Sequence, residues 1–289
     1  MSLEVSPHLA HDTVGTIAEA RRLWEAVDRP DVLIKVPATR EGLRAIQHLI
    51  GEGINVNITL LFGLPRYRRV AEAYIAGLEA RVARGEPIRQ LASVASFFLS
   101  RIDVLLDPML EKIIHEQGPS AKLAAAVHGQ VAIASAKVAY EIYKDIFRGE
   151  RFRKLAALGA RPQRLLWAST STKNPAYSDV KYVEPLIGPE TINTLPVETI
   201  GQYRDHGDPA SRLEEGMAEA HQVLERLPQV GIDLDAATLR LEDEGVEKFN
   251  QAFDLLTNTL KEKRAAALKE LVEESYASRP VARSASGAG

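Results

Sequence analysis

The stretch VLIKVPAT, residues 32–39, sets a lysine inside an apolar run. An ammonium among Val32, Leu33, Ile34 and Val36 is costly to bury unless it is paired or loses its proton. In a partly dry pocket such an amine attacks carbonyl groups. The protonated imine that results draws electrons from the adjacent carbon, as aldol cleavage requires. A neighbouring carboxylate, directly or through water, can move the protons. The matching residue types recur at the far halves of other apolar runs: Glu4 in SLEVS, Asn57 and Thr59 in INVNITLLF, and Ser96 in SVASFF. For Lys35 taken alone, a snorkelling edge lysine or a simple ion pair with Glu4 stays open as the alternative.

Two cations stand just past strand ends. Arg101 follows SFFLS and opens a helical pattern; Lys173 follows the Ser/Thr-rich run 169–172, which begins at Ser169. A positive side chain beside helix N-terminal N–H groups suits a phosphate, and a solvated surface charge is the alternative for each. His8 and His11 lack further ligands at metal spacing, and Trp24 and Trp167 read as packing residues. Asp103 and Asp107 read as acids favouring the start of a helix by its dipole. No glycine-rich phosphate fingerprint and no HExxH motif is present.

The elements that must position these residues alternate. Strand candidates are 2–6, 31–36, 54–62, 93–98, 164–169 and 191–195. Helix-period segments lie between them, such as TIAEARRLWEAV, capped by Asp12 or Thr13, and PRYRRVAEAYIAGLEARVA, with Pro65 in its first turn. The spacing predicts parallel βαβ units. Longer helical stretches cover 102–116 and 120–147, and helix returns over 209–227 and 235–276. Residues 277–289 read as a disordered tail after a single domain, 1–276. In 54–61 the even positions are apolar while Asn55, Asn57 and Thr59 are polar. That alternation favours a barrel with a polar interior over an open sheet covered on both faces, and an edge strand would show the same pattern.

With 289 residues, 45% apolar and 26% charged, the chain has an ordinary globular composition and a net charge of −3. No basic block points to nucleic acid. The absence of cysteine excludes disulfides and thiolate chemistry. No apolar run approaches the ~20 residues of a membrane span, and the first residues do not read as a signal peptide. The expectation is a cytoplasmic protein with no membrane and no nucleic-acid partner.

Together SLEVSP, LIKVPAT, GINVNITLLF, ASVASFFLSRID and WASTSTKNP resemble, in order, successive strand-end segments of the transaldolase family, in its longer bacterial form. The resemblance runs from residue 1 to about 264. It implies that Lys35 forms the Schiff base, that Glu4 is the acid–base group acting through a water, and that Thr59 lies near that water. It implies that Asn57 and Ser96 hold the dihydroxyacetone unit, that Arg101 and Lys173 hold the sugar phosphate, and that Ser169 is a further substrate-binding residue. Lys173 falls where many relatives have arginine, keeping the charge and losing the planar fork. The implied reaction transfers a three-carbon unit from fructose 6-phosphate or sedoheptulose 7-phosphate to an aldose phosphate in the pentose phosphate pathway, with no metal or organic cofactor. The alternatives are a fructose-6-phosphate-type class I aldolase and a non-catalytic sugar-phosphate-binding or interaction fragment.

In the family SLEVSP is the third barrel strand, so the resemblance implies that the first two βα units, with an aspartate and an asparagine they supply, are missing. The expected fold is therefore α/β, of (β/α)8 TIM-barrel type but incomplete, with strands three to eight present and extra helices. Unpaired edges at strands three and eight would then be open to a homo-oligomer.

Overall fold

The computed structural model describes residues 1–277. The tail expected over 277–289 lies outside the described residues except for Ala277, which ends a helix. The chain divides into two compact units, Met1–Glu247 and Lys248–Gly289. The boundary between them falls within the helix Leu234–Ala277.

In the first unit, six strands form one sheet in chain order: β1 (Ser2–Glu4), β2 (Leu33–Pro37), β3 (Val56–Leu61), β4 (Ser93–Phe98), β5 (Arg164–Ala168) and β6 (Thr191–Asn193). Every neighbouring pair is parallel. Five fall within the segments read from sequence, and β2 runs one residue past its segment, to Pro37. The helices between them are α1 (Thr13–Val27), α2 (Arg40–Glu52), α3 (Leu64–Ala83), α4 (Ser100–His115), α5 (Ala121–Val127), α6 (Val131–Phe147) and α7 (Glu150–Ala157). After β6 come α8 (Val197–His206), α9 (Met217–Arg226) and α10 (Leu234–Ala277).

The local chemistry explains the boundaries. Asp12 caps α1 by accepting from the Gly15 N–H, and Thr39 caps α2 by accepting from Gly42 N–H at 3.0 Å. The Thr39 hydroxyl also donates to the Ala10 carbonyl, tying the turn after β1 to the turn after β2. Pro65 sits in the first turn of α3. Gly77 brings α3 hard against α2, since a Cβ there would lie 2.7 Å from the Gln47 carbonyl oxygen and from Ile50 Cβ. Outside the sheet, Phe97 meets Trp167 and Tyr67 edge to face, at 6.4 and 6.5 Å between ring centres. Trp167 is the packing residue expected, its indole N–H donating to the Leu186 carbonyl.

Three departures from the sequence reading have physical causes. The helix expected over 120–147 breaks between Val127 and Val131, where Gly129 takes φ +69° and donates its N–H to Asp107. The helix expected over 209–227 begins only at Met217, because the Lys137 ammonium of α6 captures the Arg212 and Glu215 carbonyls and holds that segment as a loop. The helix α8 was not expected: Val197 and Ile200 are exposed and only Thr199 is buried, so its sequence carries no apolar stripe.

Candidate active site

Parallel pairing sets Glu4 opposite Lys35, Lys35 opposite Asn57 and Asn57 opposite Val94. Partners in register share a face, so these four side chains and Ser96, two residues beyond Val94, project from one side of the sheet. The Lys35 Nζ lies 3.9 Å from a Glu4 carboxylate oxygen, and each side chain keeps just over a quarter of its surface exposed. Burial raises the Glu4 pKa above the ordinary glutamate value, and the Lys35 charge opposes the rise.

Asn57 is the hub of the row. Its Nδ2 donates to Ser2 Oγ at 3.0 Å and its Oδ1 accepts from Ser96 Oγ at 2.7 Å. One amide thus spans from β1 to β4. The sequence reading gives Ser2, two residues before Glu4, no role. Asn55, by contrast, does not join the row. Its amide bonds the Pro30 and Val32 carbonyls and the Ala92 N–H at the opposite, amino ends of the strands. The row is polar from β1 to β4 and turns apolar beyond, at Leu166 and Ile192.

Thr59, two residues after Asn57, is fully buried and stands opposite Pro37; its hydroxyl has no hydrogen-bond partner. The next residue, Leu60, holds φ +53°, and there β3 slips against β4: Ile58 pairs with Ala95, but Leu61 pairs with Phe97. Two residues oppose one, a β-bulge beside the polar row.

The phosphate candidates gather at the start of α4. Arg101, in its first turn, is partly buried with its guanidinium 5.5 Å from the centre of the Phe98 ring. Ser169, at φ +54°, shares a 2.9 Å hydroxyl bond with Ser100, and its carbonyl accepts the Ser100 N–H. Lys173 is exposed and donates to Ser171 Oγ at 2.7 Å. The structure therefore joins Ser169 to the Arg101 turn and places Lys173 four residues farther along the same loop.

Asp103, in the first turn of α4, and Asp107, a turn farther on, do more than flank a helix start. Both are buried. Asp103 accepts from the Ala132 N–H and the Tyr182 hydroxyl, and pairs with Lys181 at 3.1 Å. Asp107 accepts from the Gly129 N–H and the Tyr177 hydroxyl. Sequence reasoning missed this set. The available signal was two carboxylates, four residues apart, on the same stripe as Ile102, Leu106 and Leu110.

Among the described residues no group of His, Asp and Glu is arranged to hold a metal ion, and no helix is long and apolar enough to cross a membrane. A cleft of about 610 Å3 between α2 and α3 lies on the helical exterior, and its Glu52 and Glu86 are already paired with arginines.

Fold and row together define a class: a parallel α/β enzyme gathering an amine, a carboxylate, an amide and hydroxyls on one face of its strands. The family described as Transaldolase/Fructose-6-phosphate aldolase matches residues 1–260. Among curated proteins, the chain is 51% identical to Transaldolase 2 of Nostoc sp., over 91% of this chain and 70% of that protein. It is 50% identical to the transaldolase of Thiobacillus denitrificans, over 89% and 70%, and 46% identical to that of Mycolicibacterium smegmatis, over 93% and 71%. The chain belongs to the transaldolase/fructose-6-phosphate aldolase family.

Proposed function

We propose that this chain is a transaldolase working through a Schiff base on Lys35. The observation that carries the reading is the row Glu4, Lys35, Asn57 and Ser96, brought from four strands onto one face. The Lys35 amine adds to the ketose carbonyl at C2, and loss of water leaves an iminium. The bond between C3 and C4 then breaks as the C4 hydroxyl gives up its proton. Its electron pair moves to C3 as an enamine, and the aldehyde departs. The enamine adds to the carbonyl carbon of an acceptor aldose phosphate, and water releases the product. Glu4, held high enough to carry a proton more readily than an exposed glutamate, moves protons in these steps. Asn57 and Ser96 exchange their mutual bond for bonds to the substrate hydroxyls, and Thr59 offers its unpartnered hydroxyl to a water. Arg101, Ser169 and Lys173 receive the phosphate.

The sequential parallel order and the two edge strands support reading the six strands as strands three to eight of a barrel of (β/α)8 type. Sugar phosphates as substrates and a cytoplasmic location belong to the same reading.

Borohydride added with fructose 6-phosphate is expected to leave a reduced adduct on Lys35, read by mass, and Lys35→Met to abolish it. An adduct on another lysine, or none, overturns the proposal. Because the family description couples two activities, transfer to erythrose 4-phosphate is measured against release of free dihydroxyacetone; release without transfer assigns the aldolase instead.

A further inference from the structure

The loop that carries Lys173 is fixed to α4 at three heights. Ser169 binds Ser100 through side chain and backbone. Lys181 and Tyr182 bind Asp103, and Tyr177 binds Asp107. Positions 100, 103 and 107 of a helix lie on one face, so the segment from 169 to 182 lies along the same helix whose first turn bears Arg101, reaching Asp107 at Tyr177 and turning back to Asp103 at Lys181 and Tyr182. The grip is specific. Lys181 Nζ lies 3.3 Å from the centre of the Tyr177 ring while pairing with buried Asp103, so tyrosine, lysine and both carboxylates form one connected set. A Cβ at Gly129 would fall 2.6 Å from the Tyr177 hydroxyl, so the site is shaped to admit that ring. Within the loop, the Thr172 hydroxyl donates to the Ser178 carbonyl at 2.8 Å and closes the stretch around Lys173 on itself.

None of these groups belongs to the Lys35 row, yet two buried carboxylates and a buried ammonium are costly unless their placement serves something. We infer that Asp103, Asp107, Tyr177 and Lys181 are positioning residues that hold the Lys173 loop against the Arg101 turn, and so set the affinity for the phosphate group of the sugar without touching the reacting carbons. The inference rests on the phosphate reading of Arg101, Ser169 and Lys173.

Tyr177→Phe removes the hydroxyl donated to Asp107 and keeps the ring beneath Lys181. The readout is borohydride trapping on Lys35 across a concentration series of fructose 6-phosphate, and in parallel of dihydroxyacetone, which lacks phosphate. Tyr177→Phe is expected to raise the half-saturating fructose 6-phosphate concentration about fivefold to tenfold. The limiting extent of trapping, and half-saturation by dihydroxyacetone, stay within about twofold of wild type. A merely structural role would lower the trapped fraction or weaken both sugars alike, and either result overturns the inference. Thr172→Val, at a half-buried site outside the buried set, is expected to shift the same parameter in the same direction by a smaller factor. No shift in either variant overturns the inference.

Lys173→Ala separates the inference from the reading beneath it. If that variant leaves fructose 6-phosphate half-saturation unchanged, the phosphate reading falls and the inference with it. If it weakens the phosphorylated sugar while Tyr177→Phe does not, the inference alone falls. In the Lys173→Ala background, Tyr177→Phe is expected to add less than about twofold, because the residue it positions is gone; full additivity overturns the coupling.

Discussion

At the scale of single residues, Glu4 and Lys35 hold one another in a compromise. Burial favours the neutral form of Glu4 and the Lys35 charge favours the ionised one, with burial the larger influence. A carboxyl raised in the fold contributes stability that is present below its ordinary value of 4.5 and is lost as pH rises through its folded value. Glu4→Gln is therefore expected to unfold at a higher temperature than wild type near pH 7, the difference closing toward pH 4, while aldol turnover falls by about a hundredfold or more. Thermal melts at the two pH values check the first part and steady-state rates the second; a variant destabilised equally at both would contradict the assigned shift. Lys35→Met removes the opposing charge, so the Glu4 carboxyl should titrate still higher, a change that carboxyl-carbon NMR resolves. These residues were legible because each interrupts an apolar run. Ser2 and Ser100 were not given their roles because an exposed or helix-starting serine looks the same whether or not a partner waits across the sheet. The further partners of Asp103 and Asp107 were not legible because acids near a helix start have a common local explanation, and only the fold shows that they point inward to Tyr177, Lys181 and Tyr182.

At the scale of elements, the position of the amine depends on how tightly α2 starts after β2. Gly42, in the first turn, lies so close to the Pro37 carbonyl that a Cβ would meet that oxygen at 2.1 Å. Gly42→Ala must push the helix start away from the strand two residues beyond Lys35. It is expected to cost about 1–3 kcal/mol in chemical denaturation and to lower the trapping rate at Lys35. An alanine variant as stable as wild type would show that the turn yields freely. All six strands were readable because parallel strands are short apolar runs bounded by helix signals. The limits of β3 were not, since 54–62 reads as one alternating run. In the fold Asn55 turns to the loop carbonyls at one end, and the left-handed Leu60 breaks the alternation at the other. The split between α5 and α6 and the late start of α9 escaped the sequence for a related reason. Each is imposed by a distant side chain, Asp107 in one case and Lys137 in the other.

At the scale of the whole molecule, the six-stranded order leaves β1 and β6 as edges, and Leu3 on β1 is partly exposed on the side away from Glu4. Edge strands offer unpaired backbone groups to another chain. Self-association is accordingly expected to rise with concentration in sedimentation, and Leu3→Lys to suppress it without altering Lys35 trapping; a chain that stays monomeric throughout the range would dismiss the edges as contacts. The α/β class and the parallel order were recoverable from strand–helix alternation.

The slip at Leu60 gives β3 one residue of slack. Asn57 pairs with Val94 before it and Leu61 with Phe97 after it, and only the stretch between them contains a surplus position. A variant lacking Leu60 altogether would keep both flanking registers and every bond of Asn57. It would forfeit the contact of the Leu60 side chain with Gly245 and leave a void in its place. Shortening the strand there is thus a way to ask what the kink does for the aim of the Thr59 hydroxyl, with the lysine and its neighbours left where they stand.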